Sequence, residues 1–228
     1  MNDAIFIISN AIVCSKSLSI YNTDERYEQT LKTINSIDSY CPYSDKVMFD
    51  ASVIQPDEKY FKGINEKKVN ILYTGQDEYV NLMSRSGAKS PAESISFLLS
   101  LNWIKQMGIK AKRIYKISGR YRLNDNFVPG YEHVGKYVFT IPTKTWMTQD
   151  RIEQTGVDHV YQSRLFHFDF ELLDQIIEIM PNVINDCLSL NIDIEHAYYK
   201  NFKKYSPVEI EKIGLCGNLA PNGEYIDE

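Results

Sequence analysis

The fold is decided near the start of the chain by the stretch AIFIISNAIV, residues 4–13. Only Ser9 and Asn10 interrupt an otherwise apolar run that is rich in isoleucine. β-branched residues favour strands, and a strand without polar alternation is typical of a parallel sheet that helices cover on both faces. The stretch therefore predicts a buried central strand of an α/β fold, with a polar pair near its carboxyl end.

The rest of the first half alternates helix-like and strand-like segments. Apolar side chains recur at helical spacing over residues 25–40, and Thr23 or Asp24 is the expected cap. Ser90-Pro91-Ala92-Glu93 predicts a second helix start, with Ser90 as cap and proline at the first helical position. The other predictions are strands at 46–53, 69–73 and 113–123 and helices at 56–64 and 90–107, with 77–87 left ambiguous. This alternation predicts a mostly parallel sheet.

The second half has a different pattern, with strand-like segments rich in β-branched and aromatic residues. It predicts strands at 136–146, 159–168 and 208–215 and helices at 170–180, 182–190 and 194–203. We expect Pro181 to end the first of these helices. Since no internal repeat or low-complexity linker is present, residues 1–228 are interpreted as one domain. The predicted class is α/β, a Rossmann-type mixed, mostly parallel sheet flanked by helices, with a small antiparallel extension.

Composition limits the classes of function. The chain has 228 residues and a formal net charge of −5. Proteins that grip a nucleic-acid backbone usually carry a basic stripe, whereas this chain has only short basic clusters at 67–68, 110–113 and 203–204, so nucleic acid is an unfavoured but still open partner. A small anionic ligand needs only one local basic pocket. The four cysteines form no CxxC pair, which argues against a zinc knuckle. No apolar run approaches the ~20 residues of a membrane span and no secretory leader is recognisable, so we expect a cytoplasmic protein without a membrane span.

Polar residues at the predicted strand ends are the first candidates for a site, because ligands of open α/β sheets bind beyond the carboxyl ends of the strands. Ser9 and Asn10 end the first predicted strand, and Ser15-Lys16-Ser17 follows it. Asp50 lies near the end of the second predicted strand. These positions predict a ligand site that is assembled from several strand ends.

The fourth predicted strand contains KISGRY, residues 116–121, and carries the most informative pattern. Gly119 indicates a bulge or a close backbone approach to a ligand. Lys116, Arg120 and Arg122 alternate along the strand and are expected to share one face, where three cations need either solvent or an anion. Arginine presents a planar fork suited to phosphate oxygens. A bulged strand with a surface arginine is the alternative interpretation.

Two helix starts carry further candidates. Lys89 precedes the helix that Ser90 caps, and a helix N-terminus attracts anions. The phosphate-loop patterns GxxxxGK[ST] and GxGxxG are absent, so an ordinary capped helix is an equal alternative. Asp193, Glu195 and His196 form a polar group ahead of another helix. One of these carboxylates could act as a general base, unless Asp193 simply caps the helix.

Residues 113–127, RIYKISGRYRLNDNF, resemble a group of bacterial and viral glycosyltransferase-like proteins with a GT-A type fold. Those proteins carry a K-[IL]-[ST]-G-R-Y segment where better-known relatives carry an Asp-x-Asp metal motif. Three further features are similar to the group and extend the resemblance over most of the chain. They are the strand at 6–10 followed by Glu25-Arg26 and Gln29-Thr30-Leu31, Lys89-Ser90 with Glu93, and the ending at 213–221.

The resemblance implies a nucleoside-diphosphate sugar as donor and a hydroxyl as acceptor. Ser9 and Asn10 would lie near the nucleoside and Asp50 would face its base. The cations that would face the diphosphate are Lys89, Lys116 and Arg120, and the rest of the implied donor segment is Ser118, Gly119 and Tyr121. Arg120 would act in catalysis by stabilising the leaving diphosphate, and Glu195 would be the base.

Metal dependence stays open, because the chain departs from the Asp-x-Asp pattern of metal-dependent relatives. Asn124-Asp125-Asn126 offers one carboxylate just beyond the fourth predicted strand. Asp125 is therefore the candidate ligand for manganese or magnesium, and arginine and lysine in place of the metal is the favoured alternative.

Glycosyl transfer is the preferred function, to a lipid-linked or surface glycan or to a modified base in viral DNA. Two alternatives remain. A nucleotidyltransferase normally requires two metals held by paired acids, and no such pair stands at a predicted strand end. A non-catalytic module that binds glycan or protein would keep the fold without the activity.

Overall fold

The computed structural model describes residues 2–14, 19–219 and 222–228. The polar segment Ser15-Lys16-Ser17 lies outside the described residues, as do Ala220 and Pro221 at the end of the 213–221 segment.

A seven-stranded sheet forms the centre of the described chain. Its order is β3-β2-β1-β4-β9-β6-β10, and β9 alone of these strands runs against the others. These strands are β1 (Asn2–Asn10), β2 (Ser44–Asp50), β3 (Val69–Tyr73), β4 (Ala111–Ser118), β6 (Tyr137–Thr140), β9 (Leu165–Asp169) and β10 (Val208–Ile210). The predicted α/β class with a mostly parallel sheet is confirmed.

Helices cover both faces of this sheet. They are α1 (Thr23–Tyr40), α2 (Glu58–Asn65), α3 (Glu78–Ser86), α4 (Lys89–Gln106), α5 (Gln149–Thr155), α6 (Leu173–Ser189) and α7 (Ile194–Phe202). Ile5 and Ile7 of β1 join the core with α4, α6 and α7. Phe6 and Ile8 join a second core with α1 and α2. All four side chains are fully buried, as the apolar stretch predicts for a strand between two layers.

Two small antiparallel sheets complete the described fold. One has the order β5-β11-β12 and the other pairs β7 with β8. Their strands are β5 (Tyr121–Leu123), β7 (Thr143–Lys144), β8 (His159–Val160), β11 (Leu215–Asn218) and β12 (Tyr225–Asp227). The long strands predicted at 136–146, 159–168 and 208–215 are each two short strands, because the chain leaves one sheet and enters another. Sequence reasoning missed α5 and β12, and the ambiguous 77–87 region contains α3.

The strand predicted at 113–123 is also divided, and this corrects the expected placement of its cations. β4 ends at Ser118, Gly119 and Arg120 form a turn, and β5 pairs with β11 in the separate sheet. Arg122 donates to Cys216 Sγ at 3.3 Å there. The prediction that Lys116, Arg120 and Arg122 share one strand face is therefore wrong, since alternation does not continue through a turn.

Two predicted helix caps differ from those observed. Asn22 caps α1, where its side chain accepts from the Glu25 backbone N–H at 3.0 Å and its own N–H donates to the Glu25 carboxylate at 2.8 Å. This reciprocal box satisfies two helix N-terminal donors and replaces the predicted caps Thr23 and Asp24. The helix α4 begins at Lys89 after Ala88, so the predicted cap Ser90 is its second residue.

Pro181 lies inside α6, so the prediction of two helices at 170–180 and 182–190 is wrong. The side chains of Ile176, Met180, Val183 and Cys187 are buried on one face of this helix, while Pro181 is exposed. An internal proline costs about 3 kcal/mol, and burial of each large apolar side chain contributes about 1.5–3 kcal/mol. The continuous apolar face therefore outweighs the lost hydrogen bond.

Among the described residues, no helix combines the length and apolarity needed to cross a bilayer.

Replacement of Tyr198 by phenylalanine is expected to stabilise the fold. Tyr198 is fully buried against Phe166 and Phe202, and its hydroxyl has no hydrogen-bond partner among the described residues. Removal of an unsatisfied buried hydroxyl should raise the free energy of unfolding by about 1 kcal/mol, which urea unfolding would measure.

Tyr161 provides the matched control. It is also fully buried, but its hydroxyl donates to Glu209 Oε1 at 2.6 Å. Tyr161→Phe should therefore lower the free energy of unfolding by about 1.5 kcal/mol. Equal effects of the two substitutions would contradict the assignment.

Candidate active site

A cavity of about 440 Å³ opens at the carboxyl ends of the parallel strands. From β1 the chain adds β2 and β3 on one side of the sheet and then β4 on the other side. Open α/β sheets bind ligands at such a switch in strand order, which here lies between β1 and β4. The cavity is large enough for a small organic ligand. Its lining comes from the ends of β1 and β4, the segment after β2, the helices α1, α3, α4 and α7, and the loop before β9. The lining residues include Ser9, Asn10, Arg26, Ser84, Lys89, Glu93, Ser118, Arg120, Tyr121, Ser163, Arg164, Asp193 and Glu195.

Three cations, Arg26, Lys89 and Arg120, line one part of this cavity. Burial, reinforced by the Arg120 guanidinium, lowers the pKa of Arg26 to about 10. Burial and the guanidinium groups of Arg120 and Arg26 also lower the pKa of Lys89. The three cations are thus close enough to repel one another, and a bound anion would relieve that repulsion.

Arg26 belongs to the site, although sequence reasoning gave it no role beyond the family resemblance. Its guanidinium is almost fully buried and donates to the backbone oxygen of Ala11. Arg26 lies in the first turn of α1, where an acidic residue would suit the helix dipole better. A cation in this unfavourable position, directly after the first strand, was the signal available in the sequence.

Acidic groups line the cavity as well. Glu195 accepts a hydrogen bond from Ser163 Oγ at 2.5 Å. Burial raises the pKa of Glu195, and the nearby Glu93 and Asp193 carboxylates add to this effect. Asp193 is the N-cap residue of α7, but its side chain makes no capping hydrogen bond within the described helix. Asp193 therefore occupies the capping position through its backbone alone, and its carboxylate and that of Glu195 both line the cavity.

Lys116 lies beneath the cavity and does not line it. Its side chain is 0% exposed, and its Nζ lies 2.5 Å from Glu93 Oε1. The same ammonium donates to the Ser163 backbone oxygen at 2.6 Å and to Ser118 Oγ at 3.1 Å. Although burial disfavours the charged carboxylate, Lys116 and Arg120 hold the pKa of Glu93 below its usual value. The anion that Lys116 requires is supplied by the chain itself.

Asp50 and Gly119 also stand behind the cavity wall. The Asp50 carboxylate is fully buried and accepts the backbone N–H groups of Ile12 at 2.9 Å and Ser52 at 3.0 Å. Burial raises the pKa of Asp50. A Cβ atom at Gly119 would lie 3.3 Å from the Asn10 side chain, so the close approach expected at this glycine is to Asn10. Both residues shape the loops that surround the cavity.

Ser9, Asn10, Ser118 and Tyr121 line the cavity as the sequence analysis expected. Ser9 Oγ donates to Ser118 Oγ at 3.3 Å across the β1–β4 boundary. The Asn10 amide donates to Thr30 Oγ1 at 2.9 Å. These bonds connect the two strand ends to each other and to α1.

Asp125 lies apart from the other predicted site residues. Its carboxylate is exposed and accepts the Tyr40 hydroxyl at 2.5 Å. Within residues 2–14, 19–219 and 222–228, no group of three or more His, Cys, Asp or Glu side chains is placed to hold a metal ion. The exposed Asp125 carboxylate, which pairs with the Tyr40 hydroxyl, therefore does not fit a divalent cation.

Substitution of Glu195 by glutamine is expected to stabilise the ligand-free protein at neutral pH. When folding raises the pKa of a carboxyl group, the protein loses folding stability as the pH rises from the unfolded pKa to the higher folded pKa of that group, and the loss remains above it. Glutamine retains the acceptor for Ser163 without the charge. Glu195→Gln should raise the Tm at pH 7 by about 2–4 °C, and the difference should close as the pH falls towards 4.

Glu211→Gln, at an exposed position, is the control for the loss of one negative charge. Thermal unfolding of both variants between pH 4 and pH 8 would measure the effect. A gain in Glu195→Gln that grows towards low pH, or one that Glu211→Gln equals, would contradict the environment assigned to Glu195.

Neither the models of known protein families nor the curated proteins contain a match to this chain.

Proposed function

We propose that this chain is a glycosyltransferase that moves a hexosyl or pentosyl group from a nucleoside-diphosphate sugar to an acceptor hydroxyl. The proposal includes the GT-A type of fold that the resemblance of residues 113–127 implies. One observation carries it, which is a cavity between the ends of β1 and β4 that combines three cations with the half-buried carboxylate of Glu195. A diphosphate needs the first feature and an acceptor hydroxyl needs the second.

The cations are suited to the leaving group. When the bond between the anomeric carbon and the diphosphate oxygen breaks, negative charge develops on that oxygen. Arg120, Lys89 and Arg26 share the cavity, and fixed cations stabilise such charge in a water-poor site. Arginine offers two parallel N–H donors to phosphate oxygens. The Nε atom of Arg120 is buried and has no partner among the described residues, so a phosphate oxygen would satisfy it.

Glu195 is suited to the acceptor. As the acceptor oxygen bonds to the anomeric carbon, its proton passes to the Glu195 carboxylate and the nucleoside diphosphate leaves with the electron pair. A general base is most effective when its pKa lies near the working pH, and burial raises the pKa of Glu195. A lipid-linked or surface glycan is the favoured acceptor, since the net charge of −5 is unfavourable for duplex DNA.

A thermal-shift screen would test the donor site. The ligands are UDP, GDP, CDP, ADP and dTDP and their common sugar conjugates, each with and without manganese. A ligand at one hundred times its Kd stabilises by about 2.7 kcal/mol, which is a shift of several degrees for a chain of this size. Arg120→Ala should abolish the shift.

Arg122→Ala is the matched control, because Arg122 lies two residues away and contacts Cys216 in the other sheet. It should keep the full shift. Asp125→Asn should leave the effect of manganese unchanged. No shift with any nucleotide would overturn the proposal in favour of a non-catalytic module, and nucleotide-monophosphate transfer by the purified protein would favour a nucleotidyltransferase.

A further inference from the structure

Two glutamates reach the cavity from different helices, and one buried lysine connects their surroundings. Glu93 lies in the first turns of α4 and Glu195 in the first turn of α7. Lys116 Nζ contacts Glu93 Oε1 at 2.5 Å and the Ser163 backbone oxygen at 2.6 Å. Ser163 Oγ donates in turn to Glu195 Oε1 at 2.5 Å. Ser163 is thus held by Lys116 through its backbone and holds Glu195 through its side chain.

We infer that Lys116 is a positioning residue that acts through Ser163 to orient the Glu195 carboxylate, and that Glu93 is the counter-ion of Lys116 and not a second base. This inference rests on the proposed function, in which Glu195 receives the acceptor proton. It gives Lys116 a role different from the diphosphate contact implied by the sequence.

The backbone around Ser163 explains why such an anchor is needed. Ser163 lies in the loop between β8 and β9, where no strand ladder fixes its direction. Lys116 binds its carbonyl, and the Ser118 N–H donates to the next carbonyl, that of Arg164, at 2.8 Å. Both bonds come from the end of β4, so the rigid central sheet sets the position of the loop. The Ser163 hydroxyl then has one buried acceptor, Glu195, at short range.

The distribution of charge distinguishes the two glutamates. The titratable groups around Glu195 are Asp193 and Tyr198 at its own helix, Glu93 on α4 and Cys187 on α6. The cavity that Glu195 lines also contains the cations Arg26, Lys89, Arg120 and Arg164, with Lys116 beneath it. Lys116 is paired with Glu93 and Arg164 with Glu228, so each is engaged by a glutamate other than Glu195. Glu93 therefore remains charged, while Glu195 keeps a neutral hydroxyl as its donor and is free to exchange a proton.

A titration of the ligand-free full chain would test this division of roles. Side-chain carboxyl carbons of ¹³C-labelled glutamate are followed by NMR, with Glu195→Gln and Glu93→Gln used to assign the two signals. In the wild-type protein Glu195 should titrate above the ordinary glutamate pKa of about 4.3, and Glu93 below it. Ser163→Ala removes a hydrogen bond to the charged form and should raise the Glu195 pKa. Glu93→Gln removes a neighbouring negative charge and also leaves Lys116 without its counter-ion, so it should lower the Glu195 pKa.

Ser118→Ala is the matched control. Ser118 and Ser163 both contact Lys116 Nζ and both line the cavity, but only Ser163 contacts Glu195. Ser118→Ala should therefore leave the Glu195 titration unchanged, and Ser163→Thr, which restores a hydroxyl, should return it towards the wild-type value. An unchanged Glu195 titration in both Ser163→Ala and Glu93→Gln, or an equal shift in Ser118→Ala, would overturn the inference.

Kinetics with the donor identified by the thermal-shift screen supply the second readout. Loss of orientation at a general base lowers kcat more than it weakens substrate binding. Ser163→Ala should therefore lower kcat about tenfold or more with an unchanged donor KM. Because the Glu195 pKa rises, the acid limb of the pH–rate profile should move to higher pH. Lys116→Met should show the same kinetic pattern, and Lys116→Arg, which keeps a cationic donor for the Ser163 carbonyl, should retain more of kcat than Lys116→Met. Lys116→Arg is the variant to compare with wild type if Lys116→Met does not fold. If the wild-type protein transfers no sugar, the proposed function is overturned. If the wild-type protein transfers sugar but the Lys116 and Ser163 variants keep the wild-type kcat and the wild-type Glu195 titration, only the role of Lys116 is overturned.

Discussion

A lysine ammonium without solvent contact needs polar partners, and the way Lys116 obtains three of them determines how the cavity is assembled. It donates hydrogen bonds to Ser118 of its own strand and to the Ser163 carbonyl in the loop before β9, and it forms an ion pair with Glu93 of α4. A buried charge that loses its partner costs about 3–5 kcal/mol. The native arrangement is therefore one in which α4, β4 and this loop meet at a single point beneath the cavity.

The charged groups that line the cavity above Lys116 are in surroundings that are electrostatically unfavourable for them. Arg26, Lys89 and Arg120 repel one another, and Glu195 is held in surroundings that disfavour its charge. A fold stabilised only by its surface charges would not tolerate such crowding. Here the fully buried apolar side chains of residues 4–8 in β1 contribute stability that the cavity lacks. Strained charge of this kind is typical of sites prepared for a ligand.

The fold class followed from local patterns, because the residues of β1 are apolar on both faces and a strand between two helical layers must be. The location of the site followed from the same step. The rule that ligands bind at strand ends grouped Ser9 with Arg120, and both line one cavity. Lys89 and Glu195, which line it too, were candidates from their helix starts and from the family resemblance.

The burial of individual side chains and the exact ends of the strands were harder to predict from the sequence. Sequence alternation alone could not show that the chain turns at Gly119, so Arg122 was placed on the wrong face and the burial of Lys116 was missed. The identity of its partner, Glu93, depends on how α4 packs above β4, which is a tertiary property. The proline rule failed at Pro181 because it considers the backbone alone, whereas the spacing of Ile176, Met180 and Val183 already indicated a continuous buried face.

The position of β1 at the centre of the sheet has a consequence for how the chain is made. Ala4 pairs with Ser44 on one side and with Arg113 on the other, so this first strand emerges long before its second neighbour exists. At roughly 5–20 residues per second, this strand, with its apolar residues 4–8, waits for several seconds with one edge unpaired. Open edges of apolar strands promote aggregation. The stretch that specifies the fold is thus also the segment that most needs protection during translation.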